Sequence, residues 1–269
     1  MSFSYSSERY FSLYKKLHYR LFGIFSSQQY YLSLIKCGRL PRPHYALGVF
    51  LSAYLAKELN IRKISILEFG CWKGEGLFDL EIFVNDIEKI IDVEIEIYGF
   101  EGGEGLPESN DYKDRLYQFS PGDMKTGDAN YFNALQRAKT FFGEFKETVI
   151  EFGNSDHAPI GCIFNDADYF SSTLDSFEVL KNPKKLLPKT YLYFDDINFS
   201  SSFTGELGAI NQFNKLNELK IEKIPELAEY LSLHWKKWHI LGKRFFLVHN
   251  FHHEKYNKRH TNPVLASRI

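Results

Sequence analysis

Residues 64–76 constrain the fold more than any other stretch of the chain. The apolar run Ile64-Ser65-Ile66-Leu67 meets an acid, Glu68, and then the loop Gly70-Cys71-Trp72-Lys73-Gly74-Glu75-Gly76, after which a helical pattern begins. This predicts the first strand, loop and helix of a nucleotide-type α/β domain. Glycines let the backbone turn tightly and approach a ligand. The loop ends on a helix N-terminus, whose free N–H groups favour anionic or polar ligand groups.

The rest of the chain is organised to match. From about residue 63 to 250 apolar strand patterns alternate with helical ones, which argues for a mostly parallel sheet with helices on both faces. Strands are expected at 63–68, 95–100, 138–142, 160–165, 190–195 and 244–248, and helices at 75–91, 128–137, 171–181 and 206–218. Residues 1–60 read as a helical N-terminal extension punctuated by Pro41-Arg42-Pro43, residues 61–250 as the ligand-binding domain, and residues 251–269 as a polar, loosely packed tail.

Composition narrows the partners. With 33 basic and 34 acidic residues the net charge is −1, so no global field points to nucleic acid or an anionic membrane. No apolar run reaches ~18 residues, so no transmembrane helix is expected, and the first residues lack the basic and apolar regions of a signal peptide. Cys37, Cys71 and Cys162 fit neither a disulfide framework nor a zinc site, which points to a reducing, cytoplasmic setting. The basic, aromatic residues 9–24 read as a packing or dimer helix ahead of a membrane-surface one, leaving a homo-oligomer open.

Four segments carry candidate chemistry. The GxxxGxG spacing at Gly70, Gly74 and Gly76 is not a dinucleotide fingerprint. None of the seventeen tyrosines has a lysine four residues later, so a short-chain dehydrogenase is disfavoured. An acid two residues before the first glycine, here Glu68, suits S-adenosylmethionine, where a carboxylate offsets the ammonium of the amino-acid end. Glu101 closes the second strand about thirty residues on, the place for an acid that accepts ribose hydroxyl hydrogen bonds, with Glu104 as a rival. Asp166-Ala167-Asp168 and Asp195-Asp196 end two further strands. Four carboxylates at the ends of two such strands repel without a cation, and Mg²⁺ or another hard divalent ion resolves this. The competing reading makes Asp168 a helix cap and Asp195-Asp196 a turn.

Taken in order, Glu68-Phe69-Gly70 with Gly74 and Gly76, Gly99-Phe100-Glu101 with Glu104-Gly105-Leu106-Pro107, Gly143–Thr148, Asp166-Ala167-Asp168-Tyr169 with Ser171-Ser172-Thr173, and Tyr193-Phe194-Asp195-Asp196 resemble the macrocin O-methyltransferase family. The resemblance covers roughly residues 63–200. It implies a Rossmann-like class I methyltransferase fold with a seven-stranded, mostly parallel sheet. It further implies methyl transfer from S-adenosylmethionine to a hydroxyl of a small molecule or carbohydrate. By the same resemblance Asp166, Asp195 and Asp196 fall on metal ligands, Asp168 on the general base and Glu101 on the ribose-binding acid. The chain departs from the pattern in having Glu rather than Asp at 101, and Pro188-Lys189-Thr190 where the family has a glycine pair. Two other classes remain at this stage: a metal-dependent glycosyltransferase using the Asp-x-Asp, and a non-catalytic module that keeps the fold. Outside the matched region, Arg42, His44 and the cluster His234, Trp235, Trp238 and His239 are candidates for the acceptor pocket, and Glu206 for the metal or the acceptor, each with a structural alternative in capping, helix-end charge or packing.

Overall fold

The computed structural model describes residues 27–109, 111–126, 129–232 and 240–264. The helix expected at 9–24 and the cluster from His234 to His239 lie outside these residues. The chain runs α1 (Gln28–Lys36), α2 (Pro43–Glu58), β1 (Lys63–Phe69), α3 (Glu75–Ile87), β2 (Glu94–Glu101), β3 (Lys139–Phe142), α4 (Phe145–Gly153), β4 (Ile160–Asn165), α5 (Phe170–Ser176), β5 (Leu186–Phe194), α6 (Gly205–Leu216), β6 (Lys220–Lys223), α7 (Pro225–Ser232) and β7 (Phe245–His249).

The strands form one seven-stranded sheet in the order β3-β2-β1-β4-β5-β7-β6. Pairs from β3 through β5 are parallel, while β7 is antiparallel to both β5 and β6. This is a doubly wound, Rossmann-like arrangement. Chain order reverses between β1 and β4, which opens a crevice beyond the carboxyl ends of those strands.

Alternation along the strands builds two cores. Ile64, Ile66, Phe164, Tyr191 and Tyr193 face α1, α2 and α3, whereas Leu67, Phe69, Ile163, Leu192 and Phe194 face α4, α5 and α6. Helix α2 is buried on nearly all sides, with Ala46, Leu47, Val49 and Phe50 each 0% exposed. Each such Leu, Val or Phe side chain contributes roughly 1.5–3 kcal/mol on burial. The described part of the N-terminal segment is therefore built into the main core.

Several boundaries differ from the sequence expectation. The pattern at 128–137 becomes a 3₁₀ turn, Ala129–Ala134, because Glu81 Oε1 accepts the backbone N–H groups of Gln136, Arg137 and Ala138 and draws the chain out of helix. Helix α3 stops at Ile87, and the pattern at 171–181 divides into α5 and a 3₁₀ stretch, Phe177–Lys181. Strand β5 starts earlier than expected, running through Pro188, with a register shift against β4 where proline offers no N–H. Helices α4 and α7 and strand β6 were not anticipated. The tail is docked rather than loose: Lys255 Nζ donates to the Leu59 carbonyl at 3.1 Å, the Tyr54 and Thr261 hydroxyls lie 2.9 Å apart, and Val264 is fully buried. Among the described residues no helix is long and apolar enough to cross a membrane.

Candidate active site

A cavity of about 970 Å³ opens at the carboxyl edge of β1, β2, β4 and β5. Gly70, Glu101, Asp166, Asp168, Asp195 and Asp196 all line it, joined by Trp72, Phe119, Phe145 and Phe199. Glu68, Gly74 and Gly76 are not on its wall but lie behind the loop that is.

The geometry of the glycine loop explains its sequence. Gly70 has φ +79°, and a Cβ there would stand 2.0 Å from the Asp166 carbonyl oxygen, so β1 and β4 are close only because residue 70 lacks a side chain. A Cβ on Gly76 would stand 1.9 Å from Glu68 Oε1, so Gly76 provides the room in which the Glu68 carboxylate sits. That carboxylate is 3% exposed. Tyr45 Oη donates to its Oε1 at 2.8 Å, while Oε2 is buried and has no partner. Burial pushes the Glu68 pKa up to about 7, opposed by the Tyr45 hydrogen bond and the Arg42 charge. Cys71 is buried, and burial first of all pushes its thiol well above the ordinary range, which fits a small packing residue and not a nucleophile.

Glu101 is 5% exposed and organises the loop around it. Its Oε2 accepts the Trp72 N–H at 2.7 Å; its Oε1 accepts the Gly103 N–H and the Thr126 hydroxyl, both at 2.9 Å. A carboxylate offers about four lone-pair sites, so acceptor capacity remains toward the cavity. Glu104, the rival, is exposed and paired with Lys125.

Beyond β4, Asp168 adopts φ +55°, left-handed backbone that Asp tolerates better than most residues. It does not cap α5, whose N-cap is Tyr169. The cap comes from a distant residue: Asp114 Oδ1 accepts the Ser171 N–H and Oδ2 accepts the Ser171 hydroxyl, both at 2.7 Å. Next to it, Arg115 is 0% exposed and donates to the Asp168 carbonyl at 3.2 Å and the Phe199 carbonyl at 2.7 Å. The Asp114-Arg115 pair thus fastens the segment after β2 onto the loops after β4 and β5. Nothing in the local sequence marked this pair as part of the site.

The four aspartates differ in environment. Asp195 accepts from Arg244 Nη1 at 2.5 Å and from Tyr193 Oη at 3.0 Å. Asp196 lies 3.7 Å from Arg115. Burial, followed by the charges of Asp195 and Asp168, holds Asp166 well above the carboxylate range. Burial and a hydrogen bond shared with Asp196 push Asp168 up to about 8. Glu206, at the start of α6, is 0% exposed, and neither of its carboxylate oxygens has a partner. Among the described residues no three acidic, histidine or cysteine side chains form a ready-made metal cage, so the shared-ion geometry expected for Asp166, Asp195 and Asp196 is not preassembled. The donor set nevertheless suits a hard cation, since it consists of carboxylates, and the unpartnered carboxylate of Glu206 is a further acid at the site.

Arg42 is the N-cap residue of α2 in left-handed conformation, with Nη1 donating to Asp79 at 2.9 Å, as the turn-and-cap reading expects. His44 is 7% exposed and packs on Tyr193 with ring centroids 4.6 Å apart.

No family model matches the chain, and no curated protein matches it. Among solved structures it is similar to the calicheamicin methyltransferase CalS11, at 20% identity and TM-score 0.47 over 66% of this chain and 72% of that one. It is similar to the O-methyltransferase NovP at 18% identity and TM-score 0.44, covering 65% of this chain and 74% of that one. A third likeness is to an O-methyltransferase from Bacillus cereus in complex with SAH, at 16% identity and TM-score 0.41 over 82% and 88%.

Proposed function

We propose that the chain is an S-adenosylmethionine-dependent O-methyltransferase of the macrocin O-methyltransferase type, acting on a hydroxyl of a small molecule or sugar with the help of a divalent cation. The observation that carries this reading is the shared cavity, which Gly70, Glu101, Asp166, Asp168, Asp195 and Asp196 all line. The buried, unpartnered Glu68 Oε2 behind the loop suits an ammonium, a feature for which a nucleotide-sugar transferase has no use.

When bound, the donor supplies an electrophilic methyl group, and a divalent ion supplies positive charge beside the acceptor hydroxyl. The protein does the positioning. Gly70 lets a ligand approach the backbone, Glu68 holds the amino-acid end, and Glu101 accepts from the ribose hydroxyls. Asp168 takes the proton from the acceptor oxygen. The sequence led us to expect an ionised base; burial and the hydrogen bond shared with Asp196 push its pKa up to about 8, and a cation beside it would favour the ionised form that accepts the proton. Alignment of donor and acceptor provides most of the rate gain, since well-oriented groups react as one molecule. Three free cysteines among the described residues accord with a cytoplasmic setting.

The test is a screen of hydroxyl compounds with deuteromethyl-labelled S-adenosylmethionine and MgCl₂, read by mass spectrometry. Transfer of the labelled methyl to a hydroxyl supports the reading. Consumption of a nucleotide sugar with the donor untouched overturns it.

A further inference from the structure

Glu206 is the second residue of α6, directly after Gly205 with φ +60°. An acid in a first helical turn ordinarily sits in water and gains from the free N–H groups there. Glu206 does neither: it is fully buried and makes no hydrogen bond to the helix end or to anything else described. The charges that act on it most strongly are, in order, Asp166, Asp196, Asp195 and Asp168. The geometry agrees: a Cβ on the neighbouring Gly205 would stand 3.0 Å from Arg115 Nε, and Arg115 lies 3.7 Å from Asp196, so α6 opens beside the strand-end aspartates.

The two guanidiniums at the site hold other groups, and each keeps one buried Nε–H without a partner. Arg244 bonds Asp195, and Arg115 stands beside Asp196 while donating to the Asp168 and Phe199 carbonyls. Five carboxylates, Asp166, Asp168, Asp195, Asp196 and Glu206, thus face two guanidiniums. An unpartnered buried carboxylate is among the most costly groups a fold can hold. A hard cation with oxygen ligands removes that cost, and glutamate is a common ligand for one.

We infer that Glu206 is a further carboxylate ligand of a divalent cation held together with Asp166, Asp195 and Asp196. The inference rests on the cation reading proposed above and extends it to a residue outside the motifs that suggested it. It assigns α6, and with it the loop from Ser200 to Thr204, a part in forming the metal centre. The ion also competes with Arg244 for Asp195.

The test is Mn²⁺ binding, followed by electron paramagnetic resonance and calorimetry, to the wild-type chain and to Glu206→Gln and Asp166→Asn variants. S-adenosylhomocysteine binding is measured in parallel. Glu206→Gln is expected to weaken Mn²⁺ binding at least tenfold and to leave S-adenosylhomocysteine affinity within about twofold. Its melting temperature without metal should be equal to or above that of the wild type, because an orphaned charge is gone. If Glu206→Gln binds Mn²⁺ like the wild type while Asp166→Asn does not, the assignment of Glu206 is wrong and the cation reading survives. A wild-type chain that binds S-adenosylhomocysteine but no Mn²⁺ at millimolar concentration overturns both. Should Glu206→Gln not fold, Glu206→Asp, which keeps the charge and shortens its reach, decides on the same criterion.

Discussion

Asp114 holds Ser171 by two hydrogen bonds of 2.7 Å, one to its backbone N–H and one to its hydroxyl, and so caps α5 from a segment more than fifty residues away in sequence. This relationship releases Asp168. The residue that looked available as a helix cap has no capping bond to make, and it stands in the cavity with a free side-chain role.

The two aspartates can therefore be separated by mutation. Asp168→Asn is nearly isosteric and should keep the fold, but lose roughly 10²–10⁴-fold in single-turnover methyl transfer, the range for removal of a general base. Asp114→Ala should show the reverse weighting, with about 1–3 kcal/mol of stability lost through the hydrogen bonds abandoned by Ser171 and Ser109. Chemical denaturation and single-turnover rates on both variants check this. Equal rates for Asp168→Asn and the wild type would return Asp168 to a structural role.

Glu68 gives the site a pH dependence of known sign. The folded carboxyl holds its proton up to about 7, whereas the unfolded chain releases it near 4.5. The folded state binds more protons in that window, so the Glu68 contribution to stability falls as pH rises from 4.5 to about 7. Donor binding runs the other way, because an ammonium beside Glu68 favours the ionised form. S-adenosylhomocysteine affinity should rise about tenfold between roughly pH 6 and pH 8, since one pK unit is a factor of ten. Glu68→Gln should flatten that slope. Calorimetric titrations at three pH values decide it, and an unchanged slope in the variant removes Glu68 from the donor site.

Gly70 tests the loop without touching a charge. With φ +79° and a Cβ position 2.0 Å from the Asp166 carbonyl, Gly70→Ala must move β1 away from β4 at the cavity. Backbone strain of this kind costs on the order of 1–3 kcal/mol. The variant should melt lower and bind S-adenosylhomocysteine at least tenfold more weakly. A stable variant with full affinity would show that the close approach is not needed.

Much of this was legible from residues alone, and the reasons are physical. Strands β1, β2, β4 and β5 are buried on both faces, so they read as apolar runs, and their terminal acids stood out by contrast. Strand β6 has a single buried residue, Ile221, among lysines and a glutamate, and only its pairing with β7 makes it a strand. Helix α4 carries a readable spacing in Phe145, Val149 and Phe152, but its first residues fall within the motif Gly143–Thr148. Glu68, Glu101 and the four aspartates stood out because each lies at or just past the carboxyl end of a strand, and Glu206 because it opens a helical pattern after the Asp-Asp strand. Asp114 and Arg115 did not, because their roles depend on burial and on partners far away in sequence. The tail was misread for the same reason: polar residues that bond to Leu59 and Tyr54 look the same in sequence as solvated ones.

The central claim is that this cavity takes an S-adenosyl donor through Glu101 and the glycine loop, independently of the cation. Calorimetric titration of S-adenosylhomocysteine in excess chelator tests it most directly, on the wild type and on Glu101→Ala. The account expects saturable one-to-one binding by the wild type, weakened in the folded variant by about 1–3 kcal/mol through lost ribose hydrogen bonds. No binding by the wild type, or equal affinity in Glu101→Ala, would contradict it.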